Sequence, residues 1–163
     1  MPIYPKEYLD LQRVTGVKAR RSCFVLMPFA RQFDGVYYAI KSACENPALL
    51  LACSRADDFY GAGHIMEDIL AGIVHSEYII ADVTGKNPNV FNELGIAHSC
   101  KPASKVIILT QGMDDVPFDL RHMRCMVYCP DDTGLRKVEH DLVRAIGSDA
   151  ESGYVFAVAD QGT

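Results

Sequence analysis

Residues able to do chemistry concentrate in one stretch, ADVTGKNPNVFNELG at 81–95. Asp82 closes the apolar run Tyr78-Ile79-Ile80-Ala81, where a strand should end. Turn formers follow, with Gly85, Asn87, Pro88 and Asn89. A helical pattern then carries one acid, Glu93, within its first two turns. Glu93 misses the capping-box position from either asparagine, because three residues beyond Asn89 stands Asn92 and three beyond Asn87 stands Val90. On the helical wheel Val90, Leu94 and Ala97 centre the apolar stripe; Glu93 lies on its shoulder and Asn92 points away. A carboxylate on the shoulder of a buried face is partly desolvated, which raises its pKa. It suits a nucleophile or a fixed charge that meets developing positive charge at a glycosidic carbon. The other reading of Glu93 is structural, a glutamate favoured near the start of a helix by the dipole. Asp82 is either an acceptor for sugar hydroxyls or a strand-end acid that binds loop amides. Asn87 and Asn89 are turn and cap residues or contacts to a ligand.

The elements that must position these residues are legible in order. Continuous apolar runs at 22–27, 49–54, 78–83, 105–110 and 124–129 read as strands buried on both faces. Helical periodicity marks 34–45, with Asp34 as its N-cap, then 64–75, 88–100 and 133–146. Residues 1–21 read as an N-terminal extension with a short helix at 6–13, and residues 22–163 as a single domain. GYVFAVA at 153–159 is a further β-like run without an assigned place. Alternating strands and helices predict an α/β fold, a three-layer sandwich around a mostly parallel five-stranded sheet. With flavodoxin-like order 2-1-3-4-5, the ligand crevice opens between strands one and three. The loops there are Met27-Pro28-Phe29 and the segment from Asp82 to Asn89. Phe29, Phe33 and Tyr37 are either core residues or stacking faces for a base.

Composition narrows the function. The chain has 163 residues, 49% hydrophobic and 23% charged, with net charge −5. That balance gives no footprint for nucleic acid or anionic lipid. No apolar run reaches the roughly 20 residues of a membrane span, and the first residues lack a signal-peptide core, so a cytoplasmic protein is expected. The six cysteines are then expected to be reduced and mostly buried. Cys125 and Cys129 share a face of the fifth strand near His122, but no second pair at ligand spacing supports a metal there. Met27-Pro28-Phe29 leaves the first strand without the acids of a receiver domain or the hydroxyl-rich loop of a flavodoxin. A P-loop and a G-x-S-x-G elbow are both missing, and Gly61-Ala62-Gly63 lacks the remaining spacing of a dinucleotide fingerprint.

FVLMPF, FDGVY, RADD, HIMEDILAGIVHSEYIIADVTGKNPNVFNELGIAHS, KVIILTQ and VPFDLRHMR together resemble the TIR-like branch of the nucleoside 2-deoxyribosyltransferase-like superfamily, over about residues 23–128. The resemblance implies a flavodoxin-like fold and cleavage of N-glycosidic bonds in nucleosides, nucleoside monophosphates or NAD. Some bacterial members act in antiphage defence, and some bind nucleotide signals. Glu93 matches the catalytic glutamate, Asp82 an acid facing the sugar, and Met27-Pro28-Phe29 a loop lining the base. Asp34 and Tyr37 match an FD-x-x-Y element, and Asn89 and Asn92 border the glutamate, with Asn92 standing where tyrosine is usual. The chain lacks the P-G-T-type segment of true deoxyribosyltransferases and the first-strand motif of conventional TIR domains. The expected activity is therefore N-glycosidase action on NAD or a nucleoside 5′-monophosphate, with NAD as substrate and no resident cofactor. The alternatives are a nucleotide-sensing module without catalysis and a homo-oligomeric assembly domain that packs through the helix at 64–75.

Overall fold

The computed structural model describes residues 21–56 and 65–159 of the chain. The extension at 1–20, its expected helix at 6–13 and most of the glycine-containing loop before 65 lie outside the described residues. Five strands, β1 (Ser22–Leu26), β2 (Ala52–Arg55), β3 (Tyr78–Asp82), β4 (Val106–Thr110) and β5 (Cys125–Val127), form one sheet in the order β2-β1-β3-β4-β5. Every neighbouring pair is parallel. The helices are α1 (Asp34–Glu45), α2 (Ile65–His75), α3 (Pro88–Cys100) and α4 (Asp132–Ala159). This is the flavodoxin-like arrangement that the strand–helix alternation predicts.

The strands alternate between two apolar layers, so runs that look uniform in sequence serve both faces. Cys23 and Val25 of β1, Tyr78 and Ile80 of β3, and Ile107 and Leu109 of β4 pack with Val36 and Ile40 of α1 and with Val138, Leu142 and Ile146 of α4. Phe24, Leu26, Ile79, Ala81, Val106 and Ile108 face the other way, onto Ile69 and Ile73 of α2 and Val90, Leu94 and Ala97 of α3. At the amino edge of the sheet, Tyr78 donates to Asp149 at 2.7 Å, and Lys105 Nζ reaches both, at 2.8 Å each. That triad pins α4 to the base of β3 and β4.

Three boundaries differ from the sequence reading. The second strand begins at Ala52, not at 49, because Asn46 O accepts from Leu49 N and Leu50 N, winding the leucines into a turn. Leu50 takes φ 53° and is exposed, whereas Leu49 and Leu51 are buried. Asp34 is the first residue of α1 rather than its cap; no side chain caps that helix. GYVFAVA is no strand: α4 continues to Ala159. Its β-branched and aromatic composition is only a weak prior, since β propensity reports fit to a pleated surface.

Backbone contact fixes the start of α4. A Cβ on Gly134 would land on the Cys129 carbonyl oxygen, while Gly134 N donates to Asp131 Oδ1 at 2.7 Å. Gly134→Ala must displace backbone, and a loss of roughly 1–3 kcal/mol is expected, as for other overpacked sites. Urea denaturation of the variant beside the parent chain checks this, and an unchanged midpoint would contradict it.

Candidate functional site

The crevice at the switch point is a cleft of about 280 Å³. One wall is Met27-Pro28-Phe29, the loop that leaves β1. The other is the start of α3, with Asn87, Asn89, Val90, Asn92 and Glu93, and α2 closes one side with Met66 and Ile69. Six of the nine residues singled out in the sequence therefore meet in one place: Met27, Pro28, Phe29, Asn87, Asn89 and Glu93. Asp34, Tyr37 and Asp82 do not line it.

Local chemistry explains the helix wall. Asn87 is the N-cap of α3, and its side chain accepts from Asn89 N at 2.9 Å and from Val90 N at 3.4 Å. Pro88 stands at the first helical position, where no N–H is needed. Before it, Gly85 at φ 76° and Lys86 at φ 57° take the left-handed turn. The turn is tied down from the β4 side: Gly85 N donates to Asp115 at 2.8 Å and Gln111 N to Thr84 Oγ1 at 3.0 Å. The helix start that carries Glu93 is thus fixed at both ends of the loop.

Glu93 sits on the cleft wall, half-buried, as the wheel predicts. Burial pushes its carboxyl from the ordinary 4.5 up to about 7, and among the described residues no charged partner offsets the lost solvation. Phe29, on the facing loop, exposes 61% of its surface, unusual for a large aromatic. Phe33 and Tyr37, by contrast, are buried in the core.

Asp82 departs from the sugar-facing expectation. It is 0% exposed. One carboxylate oxygen accepts from Thr84 N at 3.0 Å and the other from the Tyr128 hydroxyl at 2.6 Å. Desolvation raises its pKa, and the hydrogen bonds from Thr84 and Tyr128 oppose the rise. The acid is spent on shaping the carboxyl edge of β3, β4 and β5, the loop-binding alternative. Tyr128 is raised in turn, by burial and by the Asp82 charge.

Asp34 and Tyr37 also act from outside the cleft. Asp34 pairs with Arg55 at 3.4 Å, and the Arg55 guanidinium lies 4.2 Å over the Tyr37 ring. Arg55 Nη1 donates to Met27 Sδ at 3.7 Å, so the cluster braces the Met27 loop from behind. Arg55 stands at the end of β2, within the sequence element RADD, but its reach across β1 has no local signature. Tyr128 was equally hidden, since its partner lies 46 residues earlier. Met66 and Ile69 read only as part of an apolar stripe.

A roomier groove of about 550 Å³ runs along α4 past Met126, Asp141 and Arg144. Its acid is already engaged: the hydrogen bond from Lys137 holds Asp141 below the usual carboxylate range. Cys129 lies beyond the end of β5 and is exposed, so it shares no strand face with Cys125. Among the described residues, no helix is long and apolar enough to cross a membrane. Comparison with family models, with curated proteins and with solved structures returns no match.

Two variants probe the two acids. Tyr128→Phe leaves one buried Asp82 oxygen without its donor, and a loss of roughly 1–3 kcal/mol is expected in chemical denaturation; a change within error would mean water replaces the hydroxyl. Glu93→Gln should stabilise the fold in a pH-dependent way. Folding raises the Glu93 pKa from 4.5 to about 7, so the folded chain holds a proton that the unfolded chain releases over that interval. The charged carboxylate therefore costs stability increasingly as pH climbs through the interval, and by a constant amount above it. The variant is expected to melt at the parent's temperature at about pH 4 and below, and higher than the parent above about pH 8. A melting difference that does not change with pH would refute the burial of this charge.

Proposed function

We propose that the cleft holds the base and sugar of a nucleotide and that the chain cleaves the N-glycosidic bond between them. The observation that carries this reading is the Glu93 carboxylate: half-buried, with no cation among the described residues to offset its burial, and set across a small cleft from an exposed aromatic ring. An anion so placed gains most when positive charge develops beside it, which is what the sugar carbon does as a base departs. Phe29 offers a stacking face for the base. Asn89 and Asn92 present amides that can bind sugar hydroxyls or ring edges. Glu93 attacks or stabilises the anomeric carbon, and water completes hydrolysis.

The cleft volume, about 280 Å³, is near the lower end of ligand pockets, roughly 300–1,000 Å³. It suits a nucleoside monophosphate, or one nucleoside half of NAD with the remainder outside. A role in antiphage defence follows only from the resemblance to the deoxyribosyltransferase-like superfamily.

One observation favours a second reading, a nucleotide-sensing module without turnover. Glycosidases commonly act through a pair of carboxylates; among the described residues Glu93 is the one acid lining the cleft, and Asp82, which ends β3, is sealed inside the protein. The same experiment separates the two. The chain is incubated with NAD and a set of nucleoside monophosphates, and released base is followed by chromatography while binding is followed by calorimetry. Base release that disappears in Glu93→Gln supports the glycosidase; binding without release supports the sensor. For the glycosidase, kcat/KM should climb about tenfold per pH unit below pH 7 and level off above it, because the ionised carboxylate is the working form. Full base release by Glu93→Gln would sink the proposed mechanism.

A further inference from the structure

Three of the six cysteines meet at a point that the cleft does not use. Cys23 of β1 and Cys53 of β2 are register partners on adjacent parallel strands. Cys44 comes down onto them from the last turn of α1. The three sulfurs lie within 4.8 Å of one another. All are free thiols and all are buried, Cys23 and Cys44 completely and Cys53 to within 8%. The trio stands near the amino ends of β1 and β2, whereas the cleft opens at the carboxyl ends. Its behaviour is thus separable from that of Glu93.

We propose that Cys23, Cys44 and Cys53 form a three-sulfur site for a single thiophilic ion, and that the buried setting selects trivalent arsenic.

Distance permits one central atom. At metal–thiolate bond lengths of about 2.3 Å, three sulfurs spread evenly around one atom stand at most about 4.0 Å apart. The three sulfurs fall within 4.8 Å of one another, so rotamer adjustment brings them onto one atom. Ligand number and charge then choose among ions. Structural zinc takes four ligands, and among the described residues the donor cluster ends at three. Three thiolates around a monovalent copper ion would leave two net negative charges inside the core, and around a divalent ion, one. Uncompensated buried charge is strongly unfavourable. Trivalent arsenic takes three sulfurs and leaves none. Arsenous acid, As(OH)₃, exchanges its three hydroxyls for the three thiols; three As–O bonds break, three As–S bonds form, and each thiol proton leaves with a hydroxyl as water. Oxidation states are unchanged, so no oxidant or reductant is needed.

The edge of the sheet provides access. Cys53 lies on β2, an edge strand of four residues. Edge elements open locally far more readily than the whole fold. In the absence of any ion the three pack as small apolar side chains.

The test uses the full chain with Cys100→Ser, Cys125→Ser and Cys129→Ser, which keeps only the core thiols. The reduced protein is titrated with arsenite, and binding is followed by native mass spectrometry, by counting of free thiols and by X-ray absorption at the arsenic edge. Expected is one arsenic per chain, loss of all three thiols, a first shell of three sulfurs with no oxygen, and a raised melting temperature. Adding Cys44→Ser should abolish binding at equimolar arsenite; should that variant fail to fold, the sulfur count on the first protein decides alone. No arsenic uptake, a shell of two sulfurs, or uptake unaffected by loss of Cys44 would each overturn the site. Tight copper(I) binding in a parallel titration, with arsenite refused, would overturn the charge argument and the assignment to arsenic with it.

Discussion

The carboxyl edge of the sheet depends on how one buried carboxylate is satisfied. Asp82 ends β3 with no contact to solvent, and its two oxygens are taken by Thr84 N and by the Tyr128 hydroxyl. The first bond bends the chain out of β3 into the loop that leads to α3. The second ties β3, across β4, to the residue just past β5. Thr84 then receives Gln111 N, and Gln111 Nε2 donates to Tyr128 at 3.2 Å, so the three loop starts form one connected network. A network of this kind is rigid when every member is satisfied. Glu93 inherits its position from it.

The two acids of this edge illustrate how environment divides labour between like groups. Both are shifted upward by lost solvation. Asp82 recovers part of that loss through specific donors and becomes structural. Glu93 finds no such donor among the described residues, and the cost of its burial is available to a ligand that brings positive charge or a hydrogen-bond donor. Sites with this character are where a fold gives up stability for function.

The order of the sheet and the place of the crevice were legible in the sequence, because five apolar runs and the helical stripes between them admit few arrangements under the chirality and crossover rules. The position of Glu93 was legible for the same reason: helical periodicity fixes which face each residue takes. The role of Asp82 was not. A strand-end aspartate looks the same whether it turns toward a ligand or toward a tyrosine far along the chain, and only the fold chooses. Arg55 and the cysteine trio share that opacity. Each is an association between elements, Cys23 with Cys44 and Cys53, or Arg55 with Asp34, Tyr37 and Met27, and local spacing carries no trace of it. The leucines at 49–51 misled for a different reason: a run of apolar residues records burial, and a turn held by Asn46 can bury alternate leucines as well as a strand can.

Consider finally that the two walls of the cleft rise from neighbouring strands. Met27 follows β1, the loop to Asn87 follows β3, and these strands are paired in register from Cys23 with Tyr78 to Leu26 with Ala81. Backbone hydrogen bonding sets the separation of such strands at about 4.8 Å. The roots of the two walls are therefore spaced by the peptide ladder, while Phe29, Met66, Asn92 and Glu93 shape the opening above them. Substitutions at Phe29, Asn89 or Asn92 can thus retune which molecule is preferred without moving the strands from which the walls rise.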